Sequence, residues 1–277
     1  MKSHQILTGK FAVGVYRSWV VVFVTILCLA TTSPTLTAAL HLLKPNDGLV
    51  AWYPFNGDAD DESGNNLDAV VNQAYLAPDR FDHCEGAYLF DGVNSYMTIN
   101  DPASRLNFDA RSNSYAVALW VNLNSVSQRQ EFIIDRVTLN NLPASYVIGY
   151  DADTGKFQAI CWDGVNNVVL LSSTTPTTNT WYFLTMVDTA GVLKFYVNGS
   201  QEIGPLYYNA PNQIPSNFGS TLNNDQGRTI GRMAAPFYGW NTCGFLDDIR
   251  IYDRNLSAKE IKQLYQLHGF SPRRNEL

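Results

Sequence analysis

Residues 192–199, VLKFYVNG, alternate apolar and polar side chains and end on a turn dipeptide. In an extended chain Leu193, Phe195 and Val197 project to one side and Lys194 and Tyr196 to the other, the period-two pattern of a strand with one buried and one wet face. Asn198 and Gly199 both tolerate the positive φ that a two-residue hairpin requires, so the chain is expected to fold back into a short strand around Gln201–Ile203.

The same grammar extends outward in both directions. Short runs rich in Val, Ile, Tyr, Phe and Trp recur from Leu49 onward, among them LVAWYPF, AYLF, SYMTI, EFIID, SYVIGY, KFQAICW, VVLLSS, WYFLTMV, RTIG and GFLDDIRIY, separated by Gly, Asn, Asp, Pro and Thr. YAVALWV is apolar on both faces, with Tyr115, Val117, Leu119 and Val121 against Ala116, Ala118 and Trp120, which suits a central strand covered twice. So many strands exceed one flat sheet and predict an all-β, two-sheet antiparallel sandwich. One helix is expected, in SAKEIKQLYQLH, where Ser257 and Glu260 form a capping box and Ile261, Leu264, Tyr265 and His268 recur at helical spacing. Residues 269–277 continue no pattern and are expected to be a loose tail.

At the other end, Lys2, Lys10 and Arg17 precede an apolar run from Trp19 to Ala30 and then small residues. This order predicts a signal peptide over residues 1–39, since the run falls short of the roughly 20 residues that cross a bilayer. The mature chain is then secreted and not membrane-spanning, the alternative being that the segment is kept as a single-pass anchor. Cleavage removes three of the 19 basic residues and none of the 25 acidic ones, leaving a net charge of −9. Such a surface repels phosphate backbones, so nucleic acid is excluded as a partner. The length that remains suits a single domain, placed at 47–268.

Export makes Cys84, Cys161 and Cys243 possible bridge partners. Cys161 shares a face with Phe157 and Ala159 and is expected to be buried, which leaves a Cys84–Cys243 disulfide as the expectation. Asn198 and Asn255 head glycosylation sequons.

Two acidic features point to a cation or to plain solvation. The turn NGDADDESGNN crowds Asp58, Asp60, Asp61 and Glu62, a composition that can supply several oxygens to calcium and equally suits a solvated acidic turn. In GFLDDIRIY, strict alternation places Asp247 with Phe245, Ile249 and Ile251 on the inward face, where a carboxylate needs a cation, hydrogen bonds or a proton. Asp248 has Arg250 on its own face.

Taken in order, LVAWYPFNGDADDESGN, AYLFDGVNSYMTI, YAVALWVN, WYFLTMVDTAGVLKFYVNG, GRTIGR and GFLDDIRIYDRNLSAKEIKQLY resemble the laminin-G-like jelly rolls of the concanavalin A-like lectin and glucanase group over Gly48–Leu267. The resemblance implies two antiparallel sheets in a jelly roll, a structural calcium in many members, and roles in carbohydrate binding or adhesion. It also implies that the first-strand loop and the late strand share one ion, which would place Asp61 and Asp247 together, with Asp58 and then Asp60 as further ligands. At Asp58 and Asp60 this sequence departs from the Asn that the family often carries.

For a ligand surface, Trp52, Trp120 and Trp181 lie within strands and read as core. Trp162, on the polar face of KFQAICW, and Phe237, Tyr238 and Trp240, in an irregular stretch, are the rings that could stack on an extracellular glycan or glycoprotein, or else simply cover the sandwich edges. The alternatives to a binding module are a structural matrix or surface protein and a glycoside hydrolase. The latter needs two facing carboxyl groups, and no ExDxxE arrangement or GxSxG occurs. Glu131 with Asp135 is the nearest pair, and ordinary surface charge is the simpler account of it.

Overall fold

In the computed structural model, which describes residues 46–108, 114–134, 146–162, 167–189, 192–204, 206–207, 228–233 and 239–267, the alternating runs form sixteen strands and one helix. In chain order the strands are β1 (Leu49–Tyr53), β2 (Ala69–Asn72), β3 (Tyr75–Ala77), β4 (Ala87–Asp91), β5 (Tyr96–Ile99), β6 (Ser114–Leu123), β7 (Gln130–Ile134) and β8 (Val147–Asp151). They continue as β9 (Lys156–Trp162), β10 (Asn167–Leu171), β11 (Trp181–Thr189), β12 (Val192–Val197), β13 (Ser200–Gln201), β14 (Leu206–Tyr207), β15 (Arg228–Ile230) and β16 (Cys243–Tyr252), followed by helix α1 (Ala258–Gln266). The expected leader at residues 1–39 and the tail at 269–277 lie outside the described residues. Among the described residues no helix is long and apolar enough to cross a membrane.

The strands build two antiparallel sheets of eight. The first runs β13-β12-β11-β6-β16-β4-β3, with β1 also on β16, and the second runs β14-β10-β9-β8-β7-β15-β5-β2. The central position expected for YAVALWV is where β6 lies, between β11 and β16. Its Tyr115, Val117, Leu119 and Val121 enter the core between the sheets with Ile148, Phe157 and Ala159 of the second sheet. Its Ala116, Ala118 and Trp120 enter a smaller outer cluster with Phe183, Tyr196, Ile261 and Leu264.

That outer cluster exists because α1 lies on the first sheet. Ser257 Oγ accepts from the Glu260 N–H at 3.3 Å and Glu260 Oε2 accepts from the Ser257 N–H at 2.8 Å, closing the capping box. Buried Ile261 and Leu264 then anchor the helix, each contributing about 1.5–3 kcal/mol by leaving water. The coverage alters one expectation: Tyr196, on the wet side of β12 by alternation, is buried beneath the helix, while Lys194 stays half-buried. At the β12–β13 turn Asn198 and Gly199 have φ of 51° and 76°, as a two-residue hairpin demands. A Cβ at Gly199 would also stand 3.3 Å from Lys262 Cα of α1, a tight contact that adds to the demand of its positive φ.

The alternation in GFLDDIRIY is broken. Leu246, Ile249 and Ile251 all face the core, so one extra residue is inserted between them. The ladder with β6 shifts register between Asp247 and Arg250, at the point where the opposite edge of β16 changes partner from β4 to β1. Asp248 takes up the bulge with a φ of 47°, a conformation Asp tolerates better than most residues. Asp247 is therefore not on the inward face with Ile249 and Ile251. It lies opposite Trp120 in the β16–β6 register, and Trp120 belongs to the outer cluster.

Candidate functional site

The polar constellation sits on the outer face of the second sheet. Cross-strand register aligns Glu131 of β7 with Gly149 of β8, and Gly149 with Gln158 of β9. A Cβ at Gly149 would collide with the Glu131 carboxylate and the Gln130 carbonyl, so the glycine leaves the space that the Glu131 side chain fills. Through that gap Gln158 Nε2 donates to Glu131 Oε1 at 3.3 Å. Arg129 Nε donates to the same oxygen at 3.3 Å, and Arg129 Nη2 reaches Gln158 Oε1 at 3.5 Å. Glu131 Oε2 is buried with no hydrogen-bond partner among the described residues.

Glu131 is 1% exposed, which corrects its reading as ordinary surface charge. Alternation alone cannot show that neighbouring strands and Arg129 close over it. Asp135, its expected companion, lies outside the described residues. Burial pushes the Glu131 carboxyl up to about 7, against the lowering pull of Arg129 and with a further push from Asp151.

Trp240 borders this cluster. Its ring is 41% exposed, the Arg129 guanidinium lies 4.2 Å from the ring centroid, and its carbonyl accepts from the Glu131 N–H at 2.8 Å. Thr242 Oγ1 on the Glu131 carbonyl at 2.9 Å and the Cys243 N–H on Gln130 Oε1 at 2.7 Å pin the same segment to β7. Of the four rings proposed for a ligand, the structure thus places Trp240 in a polar, partly open setting. Phe237, Tyr238 and the side chain of Trp162 lie outside the described residues. Arg129 and Gln158 were missed as site residues; the lone clue was that Gln158 alternates onto the polar face of β9.

Of the carboxylates implied as calcium ligands, Asp61 and Asp247 are held by protein donors. Asp61 Oδ1 accepts from the Trp52 and Ser63 N–H groups, and its Oδ2 from Ser63 Oγ and the Leu67 N–H, which ties the acidic turn to β1. Asp247 is ion-paired with Arg80. Burial raises the Asp247 carboxyl, opposed by Arg80 and reinforced by Asp248 and Asp79. Asp58 is exposed and accepts from the Asp60 N–H at 3.1 Å, and with Asp60 it raises the Tyr88 hydroxyl behind the larger effect of burial. Among the described residues no three acidic, His or Cys side chains converge as a metal site. This donor set does not fit a calcium shared by Asp61 and Asp247, and no role is derived from one.

No disulfide joins Cys84 to Cys243. Cys243 lies opposite Asp91 at the end of β4, whereas Cys84 precedes the start of that strand at Ala87. The length of β4, roughly 16 Å at about 3.3 Å per residue, separates them, and a bridge needs Cα atoms within about 7 Å. Cys161 is buried as expected, with its Sγ 3.1 Å from Tyr115 Oη. Of the sequon residues, Asn255 is exposed, while half-buried Asn198 accepts from the Phe183 N–H at 2.9 Å through its side chain. The strand tryptophans occupy the outer side of the first sheet: Trp120 is buried there, and Trp52 and Trp181 are half-buried beside it.

The Laminin_G_3 family profile, described as concanavalin A-like lectin/glucanases superfamily, matches residues 91–262, and the chain belongs to this family. No curated relative matches the sequence. Among solved structures, domain 4 of AbnA, a GH43 extracellular arabinanase from Geobacillus stearothermophilus in complex with arabinotriose, aligns with a TM-score of 0.56 at 19% identity, covering 79% of this chain and 98% of that one. The binding domain of Paraclostridial Mosquitocidal Protein 1 aligns with a TM-score of 0.61 at 16% identity over 80% of this chain and 52% of that one. The receptor binding domain of botulinum neurotoxin D gives 0.53 at 16% identity, over 80% and 53%. The chain therefore spans about half the length of these toxin domains. At these identities the likeness is one of fold.

Proposed function

We propose that the protein is a secreted carbohydrate-binding module that takes an extracellular glycan, free or on a glycoprotein, at the surface formed by Trp240 and Arg129, without turning it over. The observation that carries this reading is Trp240, 41% exposed and braced by the Arg129 guanidinium 4.2 Å from its ring centroid. An indole held in the open by a guanidinium offers an apolar face for a sugar ring, and the guanidinium donors of half-buried Arg129 beside it suit hydroxyl oxygens. A domain of the same fold holding arabinotriose supports the reading as an analogy of fold.

The non-catalytic part rests on Glu131. A glycosidase sets two carboxyl groups across the scissile bond. Here Glu131 is covered, its Oε1 is taken by Arg129 and Gln158, and its acidic neighbour Asp151 accepts from Thr154 Oγ1 at 2.6 Å. A glycan array probed with wild type and Trp240→Ala, beside a polysaccharide hydrolysis assay, tests both parts. Retention of a defined glycan set that Trp240→Ala loses, with no reducing ends released, is the expected result. Release of reducing ends overturns the non-catalytic reading, and retention of matrix protein alone makes the domain adhesive.

A further inference from the structure

A second groove opens on the opposite face of the molecule, where α1 meets the first sheet. It has a volume of about 510 Å³ and is lined chiefly by Arg80, Phe81, Trp120, Trp181, Tyr265 and Leu267. Four of these are aromatic, which is the lining of a ligand pocket rather than of a hydrated crevice. Trp120 is 7% exposed, and its Nε1–H has no acceptor among the described residues. Arg80, whose side chain is 6% exposed, likewise has an unpartnered buried Nε–H. Buried N–H groups left without acceptors are rare and costly, and two of the residues lining this groove each carry one, which favours an occupant that brings acceptor oxygens.

The same surroundings decide the charge of that occupant. The Arg80 guanidinium is ion-paired to Asp247 and lies 4.0 Å from Asp248, and Arg250 is bonded to Asp248 at 2.9 Å. With Asp79 also close enough to raise the Asp247 carboxyl, no surplus positive charge remains for an anionic ligand. A molecule with an apolar ring face and uncharged acceptor oxygens fits the aromatic walls, the two donors and this balance together. We propose that the groove is a second saccharide site, independent of the Trp240 surface, that takes a neutral sugar ring with its hydroxyl oxygens toward Trp120 Nε1 and Arg80 Nε.

The test is a tryptophan-fluorescence and calorimetric titration of the full chain with arabinotriose, xylotriose, cellotriose and maltotriose as neutral probes and trigalacturonate as the acidic one. It is run on wild type, Trp240→Ala, Trp181→Ala and Phe81→Ala. Saturable binding of a neutral probe that persists in Trp240→Ala and weakens about tenfold in Trp181→Ala is expected, the size following from loss of an aromatic face. Phe81 is 37% exposed on a turn, so Phe81→Ala reports on the groove even if Trp181→Ala fails to fold. Neutral-probe binding that Trp240→Ala abolishes and Phe81→Ala leaves intact overturns the groove and keeps the Trp240 site. Binding of none of the neutral probes by Trp240→Ala, or preference for trigalacturonate, also overturns it.

Discussion

Arg80 and Asp247, separated by 167 positions, form an ion pair with side chains only 6% and 3% exposed, and the Arg80 guanidinium lies 4.5 Å from the Trp120 ring centroid. Beside it Arg250 lies 4.5 Å from the Trp52 ring, and the Trp52 Nε1–H donates to Asp248 Oδ1 at 2.7 Å. The bulge at Asp247–Asp248 makes this possible, because it turns both acids to the outer face, where the guanidinium groups and indoles meet them. Removing one member of a buried pair strands the other. Arg80→Ala is expected to lower the unfolding free energy by about 3–5 kcal/mol in urea titrations, while the double change Arg80→Met with Asp247→Leu recovers most of it. A loss below about 1 kcal/mol for Arg80→Ala would mean that the pair is solvated and weak.

Glu131 makes stability depend on pH. In the folded chain its carboxyl is pushed up to about 7 from an ordinary value of 4.5, so the native state holds a proton that the unfolded state has released. Unfolding free energy therefore falls as pH rises from about 4.5 to about 7 and is level above, with a total contribution of about 3 kcal/mol. Glu131→Gln keeps the shape without the charge and is expected to be more stable than wild type at pH 8, with little difference at pH 4.5. Urea midpoints at the two pH values check this, and parallel curves for both proteins would contradict it.

Gly149 provides the space beneath that carboxylate. Gly149→Ala drives a methyl group into Glu131 and the Gln130 carbonyl, and a loss of about 1–3 kcal/mol is expected. Combining it with Glu131→Ala should return part of the loss, since one of the two clashes disappears. An unchanged melting temperature for Gly149→Ala would show that Glu131 does not lie over β8.

Asp61 acts as a knot of the acidic turn. Its carboxylate accepts from Trp52, Ser63 twice and Leu67. Asp61→Ala leaves several buried donors unmatched and is expected to cost about 3 kcal/mol, equally in calcium and in chelator. Thermal melts of wild type in EDTA and in millimolar calcium are expected to superimpose. A rise of several degrees in calcium, lost in Asp61→Ala, would restore the cation to this turn.

The separation of Cys84 and Cys243 predicts that reductant leaves the melting temperature unchanged. Non-reducing peptide mapping that recovers a Cys84–Cys243 bridge would overturn the pairing of β4 with β16 described above.

What the sequence by itself determined was local: the buried set Leu193, Phe195 and Val197, the doubly covered β6, the Asn198–Gly199 turn and the Ser257–Glu260 capping box all follow from period and short-range hydrogen bonding. Trp240 was legible as a ring outside any strand pattern. Only the tertiary structure decided which distant residues meet. Alternation placed Asp247 inward because a period of two cannot anticipate an inserted residue, and the bulge that reverses it arises where β16 exchanges β4 for β1. The burial of Glu131 has the same origin: Gly149 and Gln158 close on it through strand register, and Arg129 joins it through side-chain contact, neither of which leaves a mark on the stretch QEFII.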